Sequence, residues 1–539
     1  RFASRRFLQS DSPASKKLRA DIKGILDDAQ QRKLDELSLQ AAGDGGTDLS
    51  PLIKFAEEHK GQKMGERSLV NAFVAARAMG DTSKMYELAE KIASQYPDSK
   101  QLPGIYTTVA EMARARFEFE KAIRFMKRAA SVNDDQRVQL LVAAGEIYEQ
   151  LGIPSKAEKM YRKAIDESSG AQVGRPAGRL ASLLERHVGP QELERKLQPY
   201  ASTGNPEVLS RLGLAQVALG KKGKAERSFK RVLEAGSQAS VGATARAQYG
   251  MAETIYEALR NYPSPNSLKR VQEFITLIEV GQQKYISAAR QGSPVYTAVT
   301  LSRLSGMLGY AGDRLEELEL PAGLSAAEKK QVRKALQARV EATRIGAKDA
   351  LQTCANQLWG SKNFTPVVRK CIEGTALDQT LAPFDKIQRG DVGTSASGLE
   401  DLRQRVSKNP EDVEKLRALG VKLLDAGDAH AAQIVFKQAV QSGGGPTEQN
   451  LLGVALVEIN DLTAAFEAFL NAAKGGREAG RQNLSTILER AGLPEMAKTA
   501  LEKFPEGEPG GRTIAAASEI ETAGRELRLA AKEAFGAQP

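Results

Sequence analysis

Apolar and small residues recur along most of the chain at intervals of three and four, the spacing that places them on one face of an α-helix. Two stretches nearly 300 residues apart share this pattern with the same spacing between matching positions. In each stretch a glycine separates two segments that have an apolar face. The pattern predicts pairs of helices joined by a glycine turn. The matching positions are Leu141, Ala144, Gly145, Tyr148, Gly152, Ala157, Tyr161 and Ala164 in one stretch, and Leu416, Leu419, Gly420, Leu423, Gly427, Ala432, Phe436 and Ala439 in the other.

Each position in this pattern has a physical role. The glycine within the first helix (Gly145, Gly420) allows the partner helix to approach closely, and the glycine after that helix (Gly152, Gly427) supplies the left-handed conformation that ends it. A single pair cannot bury both of its apolar faces, so the pairs are expected to stack on one another. A helical bundle whose alanine and leucine spacing imitates the pattern is the alternative.

Five further stretches fit the same frame. These residues resemble the tetratricopeptide repeat (TPR) family, which implies an all-α fold, an α-solenoid of TPR-type helix pairs. Two copies depart from the family at Phe117 and Gln216, where a turn residue or an aromatic is preferred. The further copies are Leu209 to Phe229, with Gly213 and Gly220; Leu452 to Ala472, with Gly453 and Asn460; Leu69 to Pro97, with Gly80; Tyr106 to Ala129; and Leu484 to Phe504, with Gly492.

Breaks in the pattern divide the chain into two arrays separated by an irregular helical block. Ser325 and Glu328 form a capping-box signature that opens a long helix inside the block. The expected divisions are a basic N-terminal segment with helices (1–49), an N-terminal array with degenerate repeats (50–292), a helical insert with a two-cysteine hairpin (293–389), a glycine and serine linker (390–398), a C-terminal array (399–506), and a linker with a capping helix (507–539).

Charge and hydropathy narrow the classes of partner. The net charge is +10, but the 77 basic residues are interleaved with 67 acidic ones, which favours a solvated helical surface over a nucleic-acid footprint. No apolar run approaches the length of a membrane span. We therefore expect protein partners, no nucleic acid and no transmembrane segment. The basic run from Lys221 to Arg231 reads as solvated surface, or as a contact with anionic lipid or polysaccharide at an envelope.

The two cysteines, Cys354 and Cys371, flank a predicted helical turn almost symmetrically. They would face each other across the hairpin, within reach of disulfide geometry. Two buried free thiols in a cytosolic protein are the equal alternative. Metal binding is not expected, because no histidine lies near either thiol in the sequence.

A second resemblance concerns this block. The stretch Glu319 to Ser325, the long helix after it and the hairpin from Cys354 to Cys371 are similar to a block in the adventurous-gliding-motility TPR proteins of bacterial cell envelopes. There the block also lies between two repeat arrays. The resemblance implies a periplasmic or outer-membrane-associated part of a motility machine, and a disulfide between Cys354 and Cys371.

Catalysis is not expected. His59, His187 and His430 each fall at a predicted helix end or turn, and no two share a plausible site; His430 reads as a solvated surface residue. Phosphate-loop, nucleophile-elbow and zincin motifs do not occur in the sequence. The sequence thus predicts a non-enzyme without cofactor or metal. An enzyme with a catalytic domain at 293–374 is the least supported hypothesis.

The first helix of each pair lines the concave face of a TPR array, and its outward positions are the candidate partner-binding residues. In the C-terminal array these are mostly apolar, which suits an extended or helical segment of a partner. The leading hypothesis is a scaffold that assembles protein subunits of a cell-envelope machine; the alternative is an intracellular adaptor or regulator. The candidates, some of which could instead pack against the neighbouring repeat, are Val142, Glu146, Glu149, Ser210, Leu214, Val217, Arg417, Val421, Leu424, Asn450, Val454 and Val457.

Overall fold

A computed structural model describes residues 33–38, 48–320, 324–377, 384–390 and 398–514 of the 539-residue chain. Within these ranges the fold is all-α, with no strand and one isolated β-bridge, which confirms the predicted fold class. The first half contains α1 (Ser50–Glu58), α2 (Lys63–Met79), α3 (Thr82–Gln95), α4 (Leu102–Ala115), α5 (Phe119–Val132), α6 (Arg137–Gln150), α7 (Pro154–Asp166), α8 (Gly174–His187), α9 (Pro190–Leu197), α10 (Pro206–Ala218), α11 (Lys222–Glu234), α12 (Val241–Arg260) and α13 (Leu268–Ala289).

The second half begins with longer helices and returns to short pairs. The described helices are α14 (Pro294–Glu316), α15 (Ala326–Ala355), α16 (Gln357–Gly360), α17 (Pro366–Ile372), α18 (Leu399–Lys408), α19 (Val413–Asp425), α20 (Ala429–Gln441), α21 (Pro446–Glu458), α22 (Leu462–Lys474), α23 (Glu478–Arg490) and α24 (Pro494–Lys503). The capping helix predicted within 507–539 lies outside the described residues, except that residues 507–514 are described and are not helical.

The chain forms two compact units. The first comprises residues 1–147 with 395–410, and in it α1 to α5 pack successively, each against the next, while α18 packs against α4. The buried Arg116 guanidinium fixes α18, because its Nη2 donates to Glu400 at 2.6 Å and its Nε pairs with Glu118. Glu118 also accepts from the Tyr86 hydroxyl at 2.7 Å, so one network joins α3 and α18 to the turn between α4 and α5.

The second unit comprises residues 148–394 and 411–539. In its described part, α10 to α15 pack in chain order, and so do α19 to α24. The first helices of neighbouring pairs also touch one another: α8 contacts α10, α10 contacts α12, α19 contacts α21, and α21 contacts α23. This is the stacking that the sequence predicts, since each pair covers the apolar side of the one before it.

The turn residues of the repeats adopt the predicted left-handed conformation. Gly80, Gly152, Gly220, Gly427 and Gly492 have φ between 69° and 79°. The two copies without a turn glycine reach the same region with Phe117 (φ 57°) and Asn460 (φ 63°), where a side chain is less favourable.

Glycines inside the first helices permit the close helix approach. A Cβ atom on Gly213, Gly420 or Gly453 would lie 2.4 Å from the Cε1 atom of a phenylalanine in the following helix. These rings belong to Phe229, Phe436 and Phe469, which are fully buried. The repeated distance shows that the same glycine–aromatic contact holds three pairs together.

The helices of the central block pack against one another and are cross-linked by one disulfide. Ser325 and Glu328 form the predicted capping box at the start of α15, which packs along α14 and against α17. Cys354 and Cys371 are bonded, with 5.9 Å between their Cα atoms, and both are buried. The bond connects the end of α15 to α17.

One sequence-based prediction is wrong: His430 is not a solvated surface residue. Its side chain is 7% exposed, and its Nε2 lies 3.1 Å from the carbonyl oxygen of Gln388. A Cβ on Gly152 would lie 2.4 Å from the imidazole. The reason is the segment 384–390, which runs over the start of α20 and donates the amide of Gly390 to the carbonyl of Gly152 at 3.0 Å.

Among the described residues, no helix is both long enough and apolar enough to cross a membrane.

Candidate protein-binding groove of the C-terminal array

Three polar residues occupy one position in successive first helices of the C-terminal array. They are Arg417 in α19, Asn450 in α21 and Asn483 in α23, each 33 residues after the last. The two asparagine side chains are 1% and 0% exposed, and Asn483 Nδ2 donates to Asn450 Oδ1 at 2.9 Å. Buried amides of this kind must find further partners, because an unsatisfied one costs free energy.

An extended segment of the same chain supplies those partners. The segment 507–514 follows α24 and lies against α21 and α23. The carbonyl of Arg512 accepts from both Asn450 Nδ2 and Asn483 Nδ2, at 2.9 Å each. Two residues further on, the amide of Ile514 donates to Asn483 Oδ1 at 2.8 Å. The asparagine pair therefore holds a backbone carbonyl and a backbone amide of an extended polypeptide.

The other end of the segment is held at the start of α23. The amide of Glu508 donates to the carbonyl of Gly476 at 2.8 Å, and its carbonyl accepts from the amide of Glu478 at 3.1 Å, forming a parallel bridge with Arg477. The Glu478 carboxylate accepts from the amide of Gly507 at 3.0 Å. The hydrogen bond from Arg481, and to a smaller extent the one from the Gly507 amide, lowers the pKa of Glu478 to about 2. The carboxylate that accepts these bonds is therefore charged at neutral pH.

Charged side chains line the groove on both sides of the segment. Arg512 Nη1 lies 2.7 Å from Asp425 in α19, and Arg477 Nη1 lies 3.8 Å from Glu508. Both pairs are partly exposed, so each is expected to stabilise the contact only modestly. In α19 the Arg417 guanidinium pairs with the buried Glu448. Asp425 thus makes the groove acidic on the side of α19, and Arg477 makes it basic at the start of α23.

The remaining candidates of the C-terminal array lie on the same helices but differ in exposure. Val421 and Val457 are half-buried, whereas Leu424 and Val454 are buried at 7% and 3% exposure. Val421 and Val457 are therefore the more accessible of these apolar candidates. Their binding role stays a prediction.

The candidates of the N-terminal array make contacts within their own part of the chain. Leu214 and Val217 pack against the cluster around Phe229. Ser210 is fully buried and accepts from Arg246 Nε at 3.1 Å, and Glu149 accepts from the Tyr161 hydroxyl at 2.8 Å. Val142 is also buried, and Glu146 is half-buried.

Sequence reasoning missed a buried ionic network beside Ser210. Glu207 accepts from Arg211 at 2.5 Å and also pairs with Arg246, while Glu185 accepts from Arg211 Nε at 2.7 Å and from the Tyr296 hydroxyl at 2.8 Å. Burial raises the pKa of Glu207, but Arg246 and Arg211 outweigh it and bring the pKa to about 2. The network joins α8, α10, α12 and α14, and its charges are paired, so it reads as structural.

No group of three or more histidine, cysteine, aspartate or glutamate residues in the described ranges is placed to hold a metal ion. His187 is an exposed residue at the end of α8, where partial desolvation and then Arg186 lower its pKa. His59 stacks on Phe55 at 4.3 Å between ring centroids. The three histidines thus occupy the helix ends that the sequence predicts.

Comparison with known proteins adds the following. A tetratricopeptide repeat family model matches residues 138–169, which include α7 and all of α6 except its first residue. No curated protein matches the chain. Among solved structures, a protective antigen of uropathogenic Escherichia coli strains that displays an SLR fold is 13% identical, with 94% of this chain and 98% of that chain covered, at a TM-score of 0.26. The match at 138–169 assigns a tetratricopeptide repeat to the helix pair formed by α6 and α7.

Proposed function

We propose that this protein is a non-enzymatic scaffold that holds other proteins through extended segments bound in the groove of its C-terminal array. The observation that carries the proposal is the grip of Asn450 and Asn483 on the carbonyl of Arg512. These amides read backbone atoms rather than a particular side chain, so the same geometry suits an extended segment of a partner.

We further propose that the scaffold works in an oxidising compartment at the cell envelope, within a multi-subunit machine related to motility. The disulfide between Cys354 and Cys371 supports the compartment, since such bonds persist where thiols are not kept reduced. The resemblance of the central block to envelope TPR proteins supports the machine. The working domain organisation is the one predicted from the sequence, with the block at 293–389 between the arrays at 50–292 and 399–506.

Site-specific photo-crosslinking in the native host tests the proposal. A photoreactive amino acid at Val421, half-buried on α19, should form a crosslink to another envelope protein, whereas the same probe at the exposed Lys437 on α20 should not. Absence of a Val421-specific crosslink, or equal crosslinking from both positions, would contradict the binding role. Alkylation of Cys354 and Cys371 without reductant, in material taken directly from the host, would contradict the compartment and favour an intracellular adaptor.

A further inference from the structure

We infer that residues 507–514 are an intramolecular ligand of the C-terminal groove, and that a partner's extended segment binds only when they leave it. This inference rests on the proposed function and adds to it the chemistry of the partner segment and a competition that regulates access. It is carried by the contacts of the segment, by the glycines within it, and by its short connection to α24.

The sequence of the segment is fitted to the groove. A Cβ on Gly507 would lie 2.3 Å from the carbonyl oxygen of Gly476, and one on Gly511 would lie 2.9 Å from the Cβ of Ala479. Gly510 and Gly511 also have φ values of 86° and 112°, which other residues rarely adopt. A tail resting on the surface by chance would not need glycine at the points where its backbone meets the helices.

The hydrogen bonds indicate a competitor rather than a fixed part of the core. Five backbone groups of the segment are bound, but the side chains of Arg512 and Glu508 remain exposed. The segment adds no side chain to the fully buried core of the array. Its removal would expose Asn450 and Asn483 to water, where their amides can be solvated.

The connection to the array gives the segment an advantage over free ligands. Only Phe504, Pro505 and Glu506 separate the end of α24 from Gly507. So short a tether corresponds to an effective concentration on the order of millimolar. A partner segment therefore meets a largely occupied groove, and its apparent affinity is reduced by the fraction of molecules in which the groove is open.

The same contacts define the partner chemistry. The segment must be extended and must offer a backbone carbonyl, and an amide two residues later, to Asn450 and Asn483. It needs a basic side chain directed at Asp425 and a glycine where the chain crosses Ala479. An acidic side chain near Arg477 would complete the match.

A peptide-binding assay tests the competition. The probe is a fluorescein-labelled peptide with the sequence of residues 505–514, titrated with full-length protein and followed by fluorescence anisotropy. The test variant is Gly507→Val/Gly511→Val, which should expel the internal segment without changing the groove. Gly445→Val is the matched control, because that glycine is in the same array, has φ −90° and has no atom near its Cβ position.

The test variant should bind the peptide about tenfold or more tightly than the wild type and the control do. Adding Asn450→Ala and Asn483→Ala should abolish this gain. Equal affinity in wild type and test variant, or no binding to either, would overturn the inference. Should the valine variant fail to fold, Arg512→Asp, an exposed change opposite Asp425, should give a smaller gain in the same direction, and no gain would overturn the inference. If crosslinking from Val421 persists while peptide affinity never changes, the competition fails and the proposed function stands.

Discussion

The glycine–aromatic contact between α21 and α22 makes a sharp prediction, because two effects on stability oppose each other there. A Cβ on Gly453 would lie 2.4, 2.5 and 2.9 Å from three atoms of the Phe469 ring, well inside the roughly 3.5–4.0 Å of normal carbon contacts. The ring is fully buried and cannot swing toward solvent. Overpacking of this kind costs about 1–3 kcal/mol, and an overlap exceeding 1 Å places Gly453→Ala at about the upper end of that range.

The opposing effect is helix propensity. Alanine in place of glycine inside a helix stabilises it by about 1 kcal/mol. The net expectation for Gly453→Ala is a loss of about 2 kcal/mol in the free energy of unfolding. Gly309 in α14 provides the matched control, because no atom lies within 4 Å of its Cβ position. Gly309→Ala should therefore stabilise by about 0.5–1 kcal/mol.

Urea unfolding followed by far-UV circular dichroism measures both variants against the wild type. Gly453→Ala should unfold at lower urea and Gly309→Ala at higher urea. Trimming the ring should relieve the overlap, so Gly453→Ala/Phe469→Leu should lose less stability than the sum of its single variants. If Gly453→Ala were as stabilising as Gly309→Ala, the close approach of α21 and α22 would be refuted.

Three further predictions concern the second unit. Replacing Cys354 and Cys371 with alanine should lower the free energy of unfolding by about 3 kcal/mol, because the bond closes a loop of 17 residues; unchanged thermal unfolding would contradict this. Arg303→Met should lower the free energy of unfolding by about 3–5 kcal/mol, because the carboxylate of Glu253, which is 3% exposed, loses the guanidinium that lies 2.8 Å away. In urea unfolding, the double variant Arg303→Met/Glu253→Leu should lose less stability than the single variant. A double variant that is less stable than the single one would refute the pairing. Burial lowers the pKa of His430, so as the pH falls the unfolded chain takes up this proton before the folded protein does. The free energy of unfolding should therefore decrease as the pH drops below about 6.5. His430→Gln should reduce this pH dependence, and an equal pH dependence in the variant and the wild type would contradict the prediction.

The repeat frame could be predicted because its signals are local. A helix period, a glycine after it and an alanine–aromatic face in the next helix are all readable within about 34 residues. The turn at Gly427 and the contact of Gly420 with Phe436 follow from that spacing alone. Such features need no knowledge of distant parts of the chain.

The burial of His430 could not be predicted in this way. Its position after a turn indicates solvent exposure, but the segment 384–390 and the turn at Gly152, both distant in the sequence, cover it. The paired charges of Arg211 and Glu207 were missed for a related reason, since charges on a repeat helix usually face water.

The residues that hold the segment 507–514 can be predicted only in part. Asn450 was a candidate, but Asn483, at the same position one repeat later, was not, although the interval of 33 residues after Arg417 and Asn450 could have indicated it. The sequence predicts a linker at 507–514, because its glycines and proline favour irregular structure. Composition does not reveal that a linker's backbone fits a neighbouring groove.

The central claim is that the C-terminal array holds extended polypeptide through Asn450 and Asn483. Hydrogen–deuterium exchange of the full-length protein measures this most directly, at the amides of residues 507–514. We predict slow exchange of the Glu508 and Ile514 amides in the wild type, and much faster exchange of the Ile514 amide in Asn483→Ala, which removes its acceptor. Exchange of both amides in the wild type at the rate of the free peptide would contradict the claim.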